Sequence, residues 1–266
     1  MTIAIFFIFG LMIGSFLNVV VYRLRLAESF FWTRSKCPHC QSLIRWFDNI
    51  PLLSFFVLGA RCRDCRKKIS WQYPLVELAT GIVFGAIGAN FFVSSEWLSW
   101  VLTGYYCLIF SALVAILVYD WLYFEILGIL LWGSVFLAII FNLFWDWQNF
   151  SFGQNIWDSF TYSGVLAGTA GFSLFFFLVA ISREKWMGMG DANLAILLGL
   201  FLGWPKIILA FFLAFALGAI YGIILIVLKK KKMKSQIPFA PFLVAGTLVS
   251  FFFFSSVSAW YWSLLF

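Results

Sequence analysis

Long apolar segments, separated by short polar ones, decide what this chain can fold into. Most of them approach the roughly 20 residues that a helix needs to cross the hydrocarbon core of a bilayer. Of the 266 residues, 64% are hydrophobic and only 11% are charged. A soluble domain cannot bury so much apolar surface, and the sequence therefore predicts an all-α polytopic membrane protein.

We predict about eight transmembrane helices. Their approximate bounds are 3–22, 75–92, 97–119, 123–145, 160–182, 191–203, 207–228 and 241–262. The sixth is short for a full crossing because Trp204-Pro205 interrupts it. We interpret the first as a retained helix rather than a secretory signal, since no basic residue precedes it and no clear cleavage signature follows. No internal repeat is evident along the chain.

The basic residues support this layout and indicate its orientation. With the N-terminus outside, the cytoplasmic segments are 23–74, 119–124, 183–191 and 229–240. They hold 17 of the 18 Lys and Arg residues, which is the asymmetry that the positive-inside rule describes. We therefore interpret the net charge of +7 as a topology signal beside anionic lipid. It predicts membrane lipid as a partner and argues against nucleic acid.

Two aspartates lie at the ends of apolar segments that meet the same membrane face. Asp120 follows an outside-to-inside helix, and Asp191 begins an inside-to-outside helix, so both are predicted at the cytoplasmic face. Of two close carboxylates, one keeps a proton while the other stays charged. The charged one can take a proton from water and the protonated one can polarise a carbonyl, which allows peptide hydrolysis without a covalent intermediate.

Four further residues are candidates for positioning a substrate beside this pair. Gly188 and Gly190 precede Asp191 and would let an extended peptide approach the backbone closely. Glu125 would tune the pair electrostatically, and Glu77 is a charge in an unusual place just inside the second helix. Simpler interpretations stay open. Asp is a favoured helix N-cap, so Asp191 can cap the sixth predicted helix and Asp120 the fourth. Glu125 can merely face water, and Glu77 can pair with Arg or Lys at the membrane interface.

Two cysteine pairs lie in the long polar segment between the first two helices. Cys37 and Cys40 form one C-x2-C pair, and Cys62 and Cys65 form another after 21 residues. This spacing is close to that of four-thiolate zinc sites, which are closed tetrahedra and therefore structural. A segment of about fifty residues with little apolar core needs such a metal in order to fold. The sequence thus predicts a small cytosolic zinc-binding domain between helices 1 and 2.

Several motifs together resemble those of type IV prepilin peptidases. They are the segments 14–24, 45–54, 73–78, 188–191 (Gly-x-Gly-Asp) and 238–242, with Asp120 at the position of the family's other catalytic aspartate. The chain departs from the family in two places. No proline follows Asp120 within the next few residues, and Asn193 stands where a lysine is usual.

The resemblance implies a membrane aspartyl protease of the bacterial cytoplasmic (inner) membrane, with Asp120 and Asp191 as catalytic residues at the cytoplasmic face. Its substrates would be type IV prepilins or pseudopilins, and it would also methylate the new N-terminus with S-adenosylmethionine. The predicted domains are the first transmembrane helix (1–24), the four-Cys zinc domain (25–74) and the protease domain (75–266).

Two alternatives remain from the sequence. One is an intramembrane aspartyl protease with a non-pilin substrate. The other is a non-enzymatic membrane scaffold or transporter that carries a zinc module. A transporter should have polar groups at mid-membrane depth, whereas the carboxylates here lie near the ends of the spans.

Overall fold

The computed structural model of the protein describes residues 1–26, 35–94, 96–149, 159–229 and 236–265. Parts of the predicted cytoplasmic segments 23–74 and 229–240 lie outside the described residues. The helices in the described ranges are α1 (Thr2–Leu26), α2 (Leu53–Val57), α3 (Gln72–Phe91), α4 (Trp97–Tyr123), α5 (Gly128–Gln148), α6 (Phe160–Ser182), α7 (Met189–Leu202), α8 (Lys206–Val227) and α9 (Ala240–Leu265). A turn of 3-10 helix covers Trp46–Asn49. These residues form isolated β-bridges but no strand, which confirms the prediction of an all-α protein.

Seven helices within the described ranges are long and apolar enough to cross a membrane, namely α1, α3, α4, α5, α6, α8 and α9. The chain is a multi-pass membrane protein. The remaining predicted crossing corresponds to α7, which has only 14 residues. At 1.5 Å per residue it is about 21 Å long, against a hydrocarbon core of about 30 Å. Most of its side chains are buried, so α7 is a helix of the protein interior rather than a lipid-facing span.

The connection between the third and fourth predicted spans differs from the expectation. α4 continues past the predicted end at residue 119 to Tyr123, and Phe124 then ends it in a left-handed conformation with φ of 57°. α5 begins at Gly128, not at residue 123. The residues on both sides of this border are largely apolar, and hydropathy alone therefore does not show where one helix ends and the next begins.

The chain divides into two compact units, Met1–Val118 and Tyr119–Phe266. In the first unit, α1 packs along α3. Gly10 and Gly14 allow this, because a Cβ atom at either position would lie 2.7 Å from the backbone of α3. Small residues at such crossings are typical of helix packing in membranes, where van der Waals contact replaces the hydrophobic effect. The predicted domain borders at residues 24 and 74 stay a prediction.

In the second unit, α7 contacts α5, α6, α8 and α9. Its closest approach is to α6, since a Cβ atom on Gly199 would overlap the backbone of Gly168. Asn142 of α5 holds the same part of α7, because its side-chain amide donates a 2.9 Å hydrogen bond to the carbonyl of Leu200. Helices on several sides therefore fix the position of α7 and, with it, the residues of its first turn.

Gly199→Ala should destabilise the protein, because the added methyl group has no space between α6 and α7. Overpacking of this kind typically costs about 1–3 kcal/mol. Gly133→Ala is the matched control, since nothing lies within 4 Å of a Cβ atom at that position in α5. Thermal unfolding in detergent micelles measures both variants. An unchanged Tm for Gly199→Ala would show that the two helices do not cross this closely.

Candidate active site

Asp120 lies in the last turn of α4 and is only 6% exposed. Its Oδ2 atom accepts a 3.1 Å hydrogen bond from the backbone N–H of Ala240, the first residue of α9. The alternative that Asp120 is the N-cap of the following helix is wrong, because Leu127 holds the N-cap position of α5. The carboxylate is thus held against the N-terminus of a helix that is distant in sequence.

Asp191 lies in the first turn of α7 and is 9% exposed. The N-cap position belongs to Gly188, so the interpretation of Asp191 as an N-cap is also wrong. The Gly188 backbone interacts with the Asp191 carboxylate, and the charge of Asp120 acts on the same carboxylate. The fold of the second unit therefore brings the two predicted aspartates close enough to interact.

Two interacting carboxylates have a chemical property that neither has alone. When one is ionised, the like charge disfavours ionisation of the other, and the two titrate as a pair. Between the two steps, the pair holds one proton. It then contains a group that can accept a proton from water and a group that can donate one.

The two glycines before Asp191 differ in their surroundings. A Cβ atom on Gly190 would lie 3.3 Å from the side chain of Ile126, in the connection between α4 and α5. A Cβ atom on Gly188 would approach only the Gly190 nitrogen, at 3.9 Å. Gly188 is exposed and extended, with φ of −87° and ψ of 161°, a conformation that any residue adopts. Neither backbone strain nor packing among the described residues therefore requires glycine at position 188.

The two predicted glutamates lie in different units. Glu125 is exposed in the connection between α4 and α5, five residues after Asp120. Glu77 belongs to α3 in the first unit and is buried. It accepts a 2.8 Å hydrogen bond from the backbone N–H of Leu52, and the Ser15 hydroxyl also interacts with it. The Glu77 carboxylate thus has backbone and hydroxyl partners, where an interface ion pair would have placed Arg or Lys.

The four predicted cysteines of the first unit converge on one point. The sulfur atoms of Cys37, Cys40, Cys62 and Cys65 all lie within 4.8 Å of one another. Those of Cys37 and Cys65 are 3.9 Å apart. Four thiolates at about 2.3 Å from a tetrahedral zinc ion would lie about 3.8 Å apart, whereas a disulfide needs about 2.05 Å. The four sulfur atoms therefore fit a closed metal site.

The two cysteine pairs adopt the same backbone conformation. Cys37 N–H donates to Ser42 and Cys62 N–H donates to Lys67, each to the backbone carbonyl, at 3.0 and 2.9 Å. The residue after each second cysteine is left-handed, with φ of 58° at Gln41 and 59° at Arg66. The offset between Cys37 and Cys62 is 25 residues, and the flanking β-bridges (36 with 43, 61 with 68) repeat at the same offset. The structure thus contains a short internal repeat that the sequence analysis did not detect.

The environment of the thiols suits a cation. Hydrogen bonds from the side chain and backbone of Ser42 lower the pKa of Cys40 to about 6. The backbone of Lys67 also lowers the pKa of Cys65, but burial and the three neighbouring cysteines raise it to about 11. Several thiolates in one cluster repel each other, and a divalent cation removes that repulsion.

Comparison with known proteins identifies the family. The model of the bacterial peptidase A24 N-terminal domain matches residues 8–91, and that of the type IV leader peptidase family matches residues 107–223. A "Prepilin leader peptidase/N-methyltransferase" of Aeromonas hydrophila is 32% identical over 96% of this chain and 92% of its own. The protein of that name in Bacillus subtilis (strain 168) is 31% identical, with 97% of each chain covered.

A third relative has a different name. The "Type 4 prepilin-like proteins leader peptide-processing enzyme" of Escherichia coli O78:H11 (strain H10407 / ETEC) is 35% identical over 91% of each chain. The chain belongs to the type IV leader peptidase family. The predictions of this family and of an aspartic-type peptidase are confirmed, and the alternative of a non-enzymatic scaffold is set aside. No solved structure matches the chain.

The structure adds contacts of this leader peptidase that sequence reasoning missed. Ala240 was noted only as part of the 238–242 motif, but its N–H bonds to Asp120. Ile126 was not considered, and it packs against Gly190. The position of the 238–242 segment directly before the last apolar helix was the available signal for Ala240. No signal in the sequence indicated Ile126, because an Ile beside an apolar helix is unremarkable.

Proposed function

We propose that this leader peptidase cleaves the leader from type IV prepilins or pseudopilins, with Asp120 and Asp191 as the catalytic pair. The observation that carries the proposal is the meeting of these two buried carboxylates at the end of α4 and the start of α7. The names of the relatives supply the substrate class. The distribution of Lys and Arg supports a site at the cytoplasmic face of the inner membrane.

The chemistry follows from the shared proton. The ionised carboxylate accepts a proton from a water molecule as its oxygen attacks the scissile carbonyl carbon, and the protonated carboxylate hydrogen-bonds the carbonyl oxygen. The tetrahedral intermediate collapses when the C–N bond breaks and the leaving nitrogen takes the proton that the carboxylate received from water. This transfer restores the one-proton state of the pair. The Ala240 N–H holds one oxygen of Asp120 in place throughout. General acid–base catalysis by such groups contributes about 10²–10⁴-fold to the rate.

The exposed backbone at Gly188 would receive the substrate. An extended peptide can pair with an extended backbone edge, and the absence of a side chain lets it approach closely. Glu125 lies in the same connection as Ile126, which packs on Gly190. Its negative charge would attract a leader peptide that carries basic residues. For Glu77, a positioning role would be indirect, through the turn at Leu52 that it holds.

The four-cysteine cluster would hold one structural zinc ion. Four thiolates complete a tetrahedron and leave no position for water, so the metal would supply folding free energy rather than a nucleophile. The relatives' names also join peptidase and N-methyltransferase activities. We therefore propose that the enzyme methylates the new N-terminal amine, with S-adenosylmethionine as the donor.

Asp120→Asn and Asp191→Asn should each lower cleavage of a prepilin peptide by about 10²–10⁴-fold, because either change removes one half of the proton-sharing pair. The rate of leader release, followed by mass spectrometry, measures this. Glu184→Gln is the control, an exposed carboxylate seven residues before Asp191. Full activity in either aspartate variant would exclude the paired mechanism. Cleavage of unrelated membrane peptides at an equal rate would instead favour a non-pilin substrate.

Gly188→Ala should leave the Tm unchanged but lower kcat/KM, because the methyl group fits the free enzyme and obstructs the approaching peptide. Gly190→Ala is the comparison, since its methyl group would press on Ile126 and lower the Tm as well. The pair of variants separates substrate approach from packing. Unchanged kinetics in Gly188→Ala would remove the role of this backbone edge.

The purified enzyme should contain about one zinc ion per chain, because four converging thiolates form one closed site. Cys37→Ser should lose zinc and lower the Tm, whereas Cys107→Ser, which changes the lone buried cysteine of α4, should keep the metal. Elemental analysis and thermal unfolding measure both properties. A Cys37→Ser variant that contains no zinc but has the same Tm as the unchanged enzyme would refute the structural zinc site, and so would a purified enzyme that contains no zinc.

Methyl transfer should be detectable on a peptide that already begins with the mature N-terminal residue. Label from S-adenosylmethionine carrying a labelled methyl group should appear on the α-amine of that peptide. A peptide with an acetylated N-terminus is the control, because it has no free amine to accept the methyl group. Equal labelling of the two peptides would contradict transfer to the amine.

A further inference from the structure

The short helix α2, which lies between the two cysteine pairs, is apolar on opposite faces. On one face, Phe55 is 6% exposed and packs against Trp71, with ring centroids 4.9 Å apart. On the other, Leu53, Phe56 and Val57 are 58%, 66% and 72% exposed. Their spacing of three and four residues places these three side chains on one side of the helix. A soluble surface does not usually leave such a cluster of apolar side chains in water. We call the segment 35–71, which carries α2 and the two cysteine pairs, the cysteine module.

A hydrogen bond fixes where α2 lies along the axis of α3, the membrane-spanning helix that follows it. The N–H of Leu52, directly before α2, bonds to the Glu77 carboxylate at 2.8 Å. Glu77 lies five residues beyond Gln72, the first residue of α3, which is about 7.5 Å along the helix axis. The side-chain amide of Asn18 in α1 donates to the carbonyl of Tyr73 in the first turn of α3. α2 therefore begins beside the first turns of a membrane span, not above them.

The backbone before α2 is strained in a way that sets its direction. Leu52 has φ of 60° and ψ of −52°, and Leu53 N–H bonds to the Pro51 carbonyl at 2.6 Å. This is a γ-turn of the rare, positive-φ kind. Such a conformation persists only where the surroundings hold it, and here Glu77 binds the N–H of its central residue. The turn and this bond fix how α2 starts, and Leu53, Phe56 and Val57 remain exposed in this arrangement.

The segment that contains α2 carries mostly positive charge. Residues 35–71 contain seven Lys and Arg against two Asp. One of the two, Asp48, is paired with Arg63 through contacts of 2.6 and 2.8 Å. Trp46 and Trp71 are both exposed, and tryptophan is enriched at membrane interfaces. Exposed apolar side chains in a basic segment are the combination that binds an anionic bilayer surface.

We propose that α2 is an interfacial anchor, with Leu53, Phe56 and Val57 inserted into the lipid at the headgroup boundary of the leaflet that faces the cysteine module. The surrounding Lys and Arg contact anionic headgroups. Because a hydrogen bond ties the start of α2 to the membrane-spanning helix α3, where Leu75 is also exposed, lipid is the occupant that the structure favours. The anchor would hold the cysteine module at a constant distance from the membrane surface.

Photocrosslinking in the full-length enzyme tests this anchor. Phe56 is replaced by photoreactive p-benzoylphenylalanine, and the protein is placed in nanodiscs that contain phosphatidylglycerol and phosphatidylcholine. Phe16, which is 42% exposed on the spanning helix α1, is the lipid-facing comparison. His39, exposed between the cysteines of the first pair, is the comparison outside the lipid. Thermal unfolding verifies that each labelled protein is folded, and intact-mass spectrometry counts phospholipid adducts.

We expect adducts at Phe56 to approach the level at Phe16 and to exceed that at His39 at least threefold. The yield at Phe56 should rise with the fraction of phosphatidylglycerol. An adduct level at Phe56 equal to that at His39 would overturn the anchor. Crosslinks to a second copy of the chain would show an interface between copies instead, and crosslinks formed only with an added apolar prepilin peptide would show a substrate surface.

Discussion

The interaction between the carboxylates of Asp120 and Asp191 is the one around which the second unit is arranged. A buried carboxylate is costly unless it is hydrogen-bonded or protonated. Here the N–H of Ala240 and the backbone of Gly188 provide the polar partners. Three separate elements are therefore needed at one point: the end of α4, the start of α7 and the start of α9. The long-range packing of the unit serves to bring these three helix ends together.

That packing explains why α7 is shorter than the other apolar helices. A helix that faces lipid must match the bilayer thickness, but a helix enclosed by other helices need not. α7 contacts four neighbours and approaches α6 so closely that Gly199 has no room for a side chain. Its first turn is therefore placed by protein contacts on several sides. The carboxylate of Asp191 on this turn is thus held more precisely in position than a carboxylate on a mobile loop would be.

The first unit has a different requirement. The 45 residues between α1 and α3 are too few to form a large apolar core of their own. The cysteine cluster ties the two C-x2-C turns to each other. Glu77 of α3 bonds to Leu52, which lies between the two turns, and Asn18 of α1 bonds to Tyr73, which lies after them. These bonds attach the segment to the spanning helices. The cysteine cluster and a few buried hydrogen bonds thus take the place of an apolar core, and they leave the apolar side of α2 exposed. The proposed contact with lipid would make use of that side.

The membrane spans, the cysteine cluster and the family could be predicted because each depends on a local sequence pattern. The length of an apolar run predicts a span, the C-x2-C spacing predicts a metal site, and the Gly-x-Gly-Asp segment indicates the family. The sequence pattern was insufficient where two different structures are compatible with the same local composition. The border between α4 and α5 was misplaced for this reason, and both aspartates were compatible with N-caps until the helix ends were known. The repeat at an offset of 25 residues escaped notice because it consists mainly of backbone hydrogen bonds.

The sequence by itself determined that the chain lies in the membrane, which residues could carry the chemistry, and which four could bind a metal, because these properties belong to side chains and their spacing. Only the tertiary structure decided that Asp120 meets Asp191 and Ala240, that α7 is interior, and that Glu77 holds the turn at Leu52. Each of these is a contact between residues distant in the chain. Such contacts depend on how whole helices pack, which no single segment specifies.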